Sequence, residues 1–203
     1  MNEADYTVLT STPVFQGRVI SLRTDELRMS DGSVSRREIV EHPGAVAVVA
    51  LDENDDIVLV HQYRHPVRRY LYELPAGLLD VDGESAPDGA SRELFEEASL
   101  RAERWWTLVD LYTSPGMTDE AIRIFLARGL SDVPEGERFT PEHEEITMTV
   151  SRVPLDEAAR QVLNGELTNA AACVGILAAV AARADGWRGL RDVSAPWPAR
   201  SGR

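Results

Sequence analysis

Three glutamates stand close together in one segment of the chain, at positions 93, 96 and 97. Apolar residues recur every four positions through the same segment, which predicts a helix that ends near Leu100. Spacings of three and four place the carboxylates of Glu93, Glu96 and Glu97 on one side of that helix. Carboxylate oxygens are ligands that Mg²⁺ prefers, so metal binding is one interpretation. A solvated acidic helix face is the other, and the bare pattern E-x-x-E-E does not separate them.

The residues around these glutamates favour the metal site. Glu84 is followed by seven residues and then by Arg-Glu-Leu-Phe-Glu-Glu, which ends at Glu97. This charged core resembles the signature of the Nudix hydrolases, G-x5-E-x7-R-E-U-x-E-E-x-G-U, in which U is a bulky aliphatic residue. The chain departs from the signature twice. Six residues rather than five separate Gly77 from Glu84, and Ser99 stands where the signature has a glycine suited to a left-handed helix end.

The resemblance implies a Nudix fold whose signature segment forms a loop, a helix and a second loop. It also implies a set of metal ligands: the backbone carbonyl of Ala76 and the carboxylates of Glu93, Glu96 and Glu97. Glu84 and Arg92 are expected to form an ion pair that orients these ligands, rather than to contact the substrate. The implied cofactor is Mg²⁺, with Mn²⁺ as a possible substitute.

Two flanking segments resemble the ADP-ribose pyrophosphatase branch of the family. The first reads His-Gln-Tyr-Arg up to Arg64, and the second reads Glu-Leu-Pro-Ala-Gly from Glu73. Arg64 ends a buried strand, where its guanidinium could clamp a diphosphate with two parallel hydrogen bonds. Glu73 is expected to face the substrate, although a surface carboxylate is an equally open interpretation.

A proline about fifteen residues beyond the signature is associated in this family with specificity for ADP-ribose, and Pro115 stands there. By itself, Ser-Pro-Gly is an ordinary turn. Glu120, five residues later, is a further candidate for substrate contact. The resemblance therefore implies Mg²⁺-dependent hydrolysis of the diphosphate of ADP-ribose to AMP and ribose 5-phosphate. The alternatives are hydrolysis of another nucleoside diphosphate sugar, such as GDP-mannose, and a Nudix module that senses nucleotides without cutting them.

Hydrolysis also needs a general base within hydrogen-bond reach of the attacking water. The acidic segment Thr-Pro-Glu-His-Glu-Glu begins at residue 140, and it resembles the loop that supplies the base in the ADP-ribose pyrophosphatases. Glu142 is the candidate base, and Glu144 is a candidate for an auxiliary metal ligand. His143 is a competing base, and a merely solvated acidic loop is the structural alternative.

The remaining elements predict an α+β fold, arranged as an α/β/α sandwich rather than a doubly wound sheet. Alternation near the N-terminus predicts an antiparallel extension with strands at 15–21, 24–29 and 34–41. Two β-branched runs flank a polar turn and predict a hairpin of buried strands at 44–51 and 57–64. Further predictions are strands at 105–111, 122–127 and 147–153, a loop at 131–145, and two helices within 154–183 broken at Asn164-Gly165.

These elements suggest three regions. Residues 1–43 form a β region expected to make a homodimer, residues 44–190 form the catalytic domain, and residues 191–203 form a weakly ordered tail. In the branch that the chain resembles, the N-terminal strands complete the neighbour's site. Arg37 is therefore a candidate contact for a partner's substrate, with an ordinary surface cation as the alternative.

Composition excludes several other classes of protein. A formal net charge of −13 argues against a general nucleic-acid binder, which needs a basic surface. The single cysteine, Cys173, excludes an internal disulfide framework and a cysteine-based zinc site. The first residues lack the basic and apolar regions of a signal peptide, and the most apolar stretch, 170–182, is shorter than the roughly 20 residues that cross a bilayer. A cytoplasmic protein without a membrane segment is therefore expected.

Overall fold

The computed structural model describes residues 6–140 and 147–200 of the 203-residue chain. Its contacts divide the chain into two compact units. The first consists of Met1–Gly44 and Tyr112–Ala121, and the second of Ala45–Leu111 and Ile122–Arg203. The first unit carries the N-terminal strands, and the second carries the signature helix.

The first unit contains an antiparallel sheet in the order β1-β2-β3, formed by Thr7–Gln16, Ser21–Arg28 and Val34–Glu41. The predicted strand at 15–21 is wrong, because these residues include the turn in which Gly17 N–H donates to Ile20 O at 2.9 Å. All ten residues of β1 are exposed, so no buried face marks the strand in the sequence. The segment 112–121 joins this unit where Val40 N–H donates to Met117 O at 2.8 Å.

Within the described residues, the second unit holds seven strands in two sheets. They are β4 (Ala45–Ala50), β5 (Asp56–Arg64), β6 (Arg69–Glu73), β7 (Ala76–Leu78), β8 (Leu100–Tyr112), β9 (Ala121–Asp132) and β10 (Thr149–Pro154). One sheet is antiparallel in the order β10-β5-β6. The other has the order β7-β4-β9-β8 and is mixed, because β4 pairs with β7 antiparallel and with β9 parallel.

The predicted hairpin of β4 and β5 is wrong. These strands share only an isolated bridge between Leu51 and Ile57, and then they enter different sheets. All six residues of β4 are buried, so the strand is covered on both faces and on both edges. A strand that is apolar on both faces carries no alternation to identify its partner. β8 and β9 are also longer than predicted, and β9 extends into the segment predicted as a loop.

Of the α-helices in the described residues, α1 (Ala86–Ala98) and α3 (Ala170–Ala184) pack against the mixed sheet, and α2 (Leu155–Leu163) packs against α3, β5 and β10. Alternate residues of β4, such as Val46 and Val48, pack with Leu94 of α1 in one apolar cluster. The intervening residues, such as Val49, pack with Ile176 of α3 in a second cluster. This arrangement confirms the α+β fold and the α/β/α sandwich. Among the described helices, none has both the length and the apolar character that crossing a lipid bilayer requires.

Helix α1 is capped at both ends by serine. Ser85 accepts a hydrogen bond from Asp88 N–H at 3.3 Å, as an N-cap residue does. Ser99 adopts a left-handed conformation, with φ 52° and ψ 41°, and its N–H donates to Phe95 O at 3.0 Å. Ser99 is the position at which the Nudix signature has glycine, so the helix ends as the signature implies, but with a side chain in a conformation that favours glycine.

We expect Ser99→Gly to raise the free energy of unfolding by about 1 kcal/mol, because glycine adopts the left-handed conformation without steric strain. Urea denaturation followed by circular dichroism measures this difference. Ser85→Gly is the matched control at the other end of the helix, and it should not stabilise the protein because it removes the hydrogen bond to Asp88. An unfolding free energy of Ser99→Gly at or below that of the parent protein would contradict the expectation.

Candidate active site

Two carboxylates of α1 lie beside strand β7, that of Glu93 buried and that of Glu97 half-buried. The Glu97 carboxylate accepts a hydrogen bond from the backbone N–H of Ala76 at 2.9 Å. Burial raises the pKa of Glu97 to about 8, and the nearby charge of Glu93 adds to this effect. Burial also raises the pKa of Glu93, against the opposing charge of Arg92. The structure therefore brings three of the predicted metal ligands together, Glu93, Glu97 and Ala76, in a place where burial disfavours negative charge.

Gly77 allows this close approach. A Cβ atom at Gly77 would lie 1.9 Å from Oε1 of Glu93 and 2.0 Å from its carboxylate carbon. These distances are far below van der Waals contact, so any side chain at this position would displace the carboxylate. Glycine at the start of the Nudix signature therefore leaves room for the Glu93 carboxylate against the backbone.

Arg92 connects the signature glutamates. Its guanidinium makes two hydrogen bonds to Glu84, at 2.9 and 3.0 Å, which confirms the predicted ion pair. The same guanidinium donates to Glu93 at 2.6 Å and to Glu96 at 3.1 Å. These hydrogen bonds, those to Glu84 above all, raise the pKa of Arg92, so its guanidinium stays charged. The contacts with Glu93 and Glu96 were not predicted, although the four-residue spacing of Arg92 and Glu96 indicates the second of them.

Arg64 and Glu73, both predicted to contact the substrate, pair with each other. Arg64 Nε donates to Glu73 Oε1 at 2.9 Å, and its Nη2 donates to Oε2 at 2.7 Å. The Glu73 side chain is only 3% exposed, whereas that of Arg64 is 41% exposed. The buried Glu73 carboxylate therefore fixes the orientation of a partly exposed guanidinium. Arg64 also lowers the pKa of Glu97 by its charge, so the pair lies near the carboxylates of α1.

The first unit contains a cavity of about 550 Å³ that is lined by both Arg37 and Pro115. Arg23 and Tyr112 also line it, and neither was identified from the sequence. Arg23 pairs with Ile39, two residues from Arg37, so the register of β2 and β3 brings the two arginines to the same face. The strand predicted at 24–29 begins one residue after Arg23, whereas β2 begins at Ser21, so the prediction did not pair Arg23 with Ile39.

Glu120 lies in the same unit but does not line that cavity. Its carboxylate accepts a hydrogen bond from the Thr113 hydroxyl, and it lies 3.6 Å from Nε2 of His42. The remaining candidates, Glu142, His143 and Glu144, lie outside the described residues.

Comparison with known proteins decides the family. The family model described as NUDIX domain matches residues 41–171, which include the whole signature and both flanking segments. The chain belongs to the Nudix family. The predicted resemblance is thereby confirmed.

Nudix relatives of this chain include two that match most of its length. The ADP-ribose pyrophosphatase of Mycobacterium tuberculosis is 47% identical over 197 residues, which cover 97% of this chain and 93% of the relative. The ADP-ribose pyrophosphatase of Bacillus subtilis is 38% identical over 170 residues, 84% of this chain and 90% of the relative. A crystal structure of an ADP compounds hydrolase superposes with a TM-score of 0.74 at 23% identity, covering 90% of this chain and 96% of that one, and supports the fold.

The Nudix site fits a divalent cation by the chemistry of its donors. Glu93 and Glu97 provide oxygen donors, and their burial disfavours the charged form unless a positive charge approaches. In the part of the chain that the structure describes, no group of three or more His, Cys, Asp or Glu side chains is arranged to hold a metal by itself. Ligands from the substrate or from the rest of the chain would therefore have to complete the coordination shell.

We expect Gly77→Ala to weaken the binding of Mn²⁺ by about 10- to 100-fold, because the new Cβ must push the Glu93 carboxylate away from the backbone. The displaced atoms are the end of a flexible side chain, so the melting temperature should change little. Isothermal titration with Mn²⁺ and thermal unfolding measure the two effects.

Gly136→Ala is the matched control for this substitution, since no atom lies within 4 Å of a Cβ placed there. Its affinity for Mn²⁺ should equal that of the parent protein. Equal affinities of Gly77→Ala and Gly136→Ala would show that Glu93 does not bind the metal in the position described.

Proposed function

We propose that this Nudix protein hydrolyses the diphosphate of ADP-ribose and releases AMP and ribose 5-phosphate. The observation that carries the proposal is the complete set of charged signature residues, with Glu93 buried and Glu97 half-buried on one helix, in a chain 47% identical to an ADP-ribose pyrophosphatase over nearly its whole length. The substrate is thus a nucleotide sugar, and ADP-ribose is the member of that class that the relatives favour. A cytoplasmic location is proposed with it.

The proposed cofactor is Mg²⁺, with Mn²⁺ as a substitute. Glu93 and Glu97 would hold it, with Glu96 and the backbone carbonyl of Ala76 as further ligands. When bound, the cation supplies positive charge to the diphosphate and makes a water molecule more acidic. Arg92 has a different function: it fixes the orientation of the carboxylates and neutralises part of their mutual repulsion.

Arg64 is proposed to bind the diphosphate through its guanidinium, which Glu73 orients. A guanidinium held by two hydrogen bonds loses little further freedom when it binds a phosphate, so the pair is preorganised. Glu73 then acts as a positioning residue. Arg37, Pro115 and Glu120 remain proposed substrate contacts, and the shared cavity supports the first two.

Glu142 is proposed as the general base and Glu144 as an auxiliary metal ligand. The base removes a proton from water as the water oxygen bonds to the attacked phosphorus. The bond between that phosphorus and the leaving phosphate oxygen breaks. Because charge develops on phosphoryl oxygens, Arg64 would stabilise the transition state more strongly than it stabilises the bound substrate.

The release of AMP from ADP-ribose in the presence of Mg²⁺, with an EDTA control, tests the proposed function. We expect metal-dependent release with ADP-ribose as the preferred substrate. Faster hydrolysis of GDP-mannose would favour the alternative nucleoside diphosphate sugar. Binding of ADP-ribose without any AMP release would contradict the enzyme and support a nucleotide-sensing module.

We also propose that the chain has two main regions. Residues 1–43 form a homodimer, and residues 44–190 form the catalytic domain. Every residue of β1 is exposed in the single chain, including Val8, Val14 and Phe15 at 55%, 57% and 57%. An exposed apolar edge strand is a surface that proteins normally cover, and a second copy would cover it.

Sedimentation at micromolar concentration should therefore give a species of two chains. Val14→Asp, which places a charge on this strand, should shift the equilibrium towards one chain, whereas a substitution at exposed Arg188 should not. A single-chain species for the parent protein would contradict the dimer.

A further inference from the structure

The buried cation of strand β9, Arg123, binds the C-terminal segment of the chain. The residue is only 3% exposed. Its Nε and Nη2 donate to Asp110 at 2.7 and 3.0 Å, its Nη1 donates to Ala195 O at 2.6 Å, and its Nη2 also donates to Pro196 O at 2.9 Å. A buried guanidinium without these carbonyls would have unsatisfied donors, which is strongly unfavourable. The core therefore requires the segment 191–200 at this place.

Further contacts fix the start of this segment to strand β8. Thr107 exchanges two backbone hydrogen bonds with Arg191, at 3.1 and 3.3 Å, and its hydroxyl donates to Val193 O at 3.4 Å. Arg191 also donates to Asp110 at 2.7 Å. Thr107 is fully buried, so the segment covers the strand. The composition of residues 191–203 predicted a weakly ordered tail. Composition gives no indication of the contacts with Thr107, Asp110 and Arg123, which come from distant strands.

The segment also reaches the loop of the Nudix signature. The Arg123 guanidinium lies 4.8 Å from the centre of the Trp197 indole, which fixes the ring by a cation–π contact. Trp197 and Arg200 line a cavity of about 350 Å³ whose other wall is the loop 79–84 with Ala86. Val193 packs on the same apolar cluster as Leu79 of that loop.

This loop contains the one-residue insertion that distinguishes the chain from the Nudix signature. The loop ends at Glu84, which accepts hydrogen bonds from Arg92. Arg92 also donates to Glu93 and to Glu96. A change in the loop can therefore reach the metal ligands through a single arginine. An inserted residue makes a loop longer and less constrained. Contact with Trp197 and Arg200 would restrict the motion of this longer loop.

We infer that residues 191–200 form the outer wall of the Nudix loop and that Trp197 is a positioning residue for the metal site. It acts through the loop 79–84, Glu84 and Arg92, and it does not touch the reacting atoms. The inference rests on the proposed function only in taking Glu93 and Glu97 as metal ligands.

Trp197→Ala tests the inference by two measurements that need no turnover. Hydrogen–deuterium exchange of the peptide that covers the loop 79–84 should become at least about tenfold faster, because its wall is lost. The affinity for Mn²⁺ should fall by about tenfold, as for other residues that orient metal ligands. Trp197→Phe keeps an aromatic ring against Arg123 and should restore most of both values.

Trp187→Ala is the matched control. Trp187 also lies 4.8 Å from a guanidinium, that of Arg128, but it packs on the other apolar cluster of the sandwich. Its loop exchange and its Mn²⁺ affinity should stay within about twofold of the parent values. If Trp197→Ala does not fold, Trp197→Leu replaces it, with the same expectation.

Loop exchange and Mn²⁺ affinity that are unchanged in the Trp197 variant, or changed equally in Trp187→Ala, would overturn the inference. A protein that shows these effects but does not cut ADP-ribose would overturn the proposed function alone. The two failures are therefore distinguishable.

Discussion

Replacing Glu97 with glutamine is expected to lower the turnover of ADP-ribose by about 10³-fold, because the variant loses a charged ligand of the cation that stabilises the transition state. Glutamine has the same shape, and its amide oxygen can still accept the hydrogen bond from Ala76 N–H. The loss should therefore appear in kcat, while the fold and the contacts of Arg64 are kept.

Glu97→Gln should not lower the free energy of unfolding of the metal-free protein. The direction of this change follows from the pKa of Glu97. The folded state raises this pKa from 4.5 to about 8, so folding favours the protonated carboxyl group. The stability of the metal-free parent protein then decreases as pH rises from about 4.5 to 8, where the buried group must become charged. Glutamine has no charge to bury, so Glu97→Gln should melt at the same temperature or higher in EDTA, with the larger difference at pH 8.

Steady-state kinetics and thermal unfolding in EDTA measure these effects. Glu103→Gln, at an exposed position of β8, is the control and should leave both unchanged. Turnover of Glu97→Gln that equals the parent rate in saturating Mg²⁺ would remove Glu97 from the metal site.

Glu142→Gln is expected to slow the chemical step by about 10²- to 10⁴-fold, the usual contribution of a general base. The substitution leaves Glu93 and Glu97 in place, so the affinity for substrate should be kept. The pH–rate profile should also lose its acidic limb, because the group whose deprotonation produces that limb is gone. Rapid-quench kinetics over a range of pH values measures both effects.

The neighbouring residues supply the comparison for Glu142. Glu145→Gln removes a charge from the same acidic segment and should have little effect. A loss of the acidic limb in Glu144→Gln or His143→Ala, with Glu142→Gln near normal, would assign the base to another residue. Mild effects in all three variants would indicate that the water needs no base from this segment.

The sequence alone determined the chemistry of the Nudix helix, for a physical reason. The positions of Glu93 and Glu97 relative to each other depend on helical spacing, which is local and regular. The pair of Glu84 and Arg92 was predicted by resemblance, and the left-handed end at Ser99 belongs to the same local pattern. Short-range geometry of this kind survives in any fold that keeps the helix, so it could be identified from the chain.

Strand pairing could not be determined in the same way. The runs that became β4 and β5 are apolar on both faces, and a short turn between them favours a hairpin by local rules. In the structure each strand is central in its own sheet, because both faces of β4 must be covered by helices. Only the packing of distant elements decides between these arrangements.

The same limit applies to the partners of buried charges. Glu73 was expected to face the substrate, but its burial places both carboxylate oxygens on Arg64. Arg123 and the segment 191–200 showed no pattern in the sequence, since a lone arginine in an apolar strand does not specify its acceptors. Burial makes each such charge require a partner, and which groups satisfy it is decided by tertiary structure, because the partners come from segments far apart in the chain.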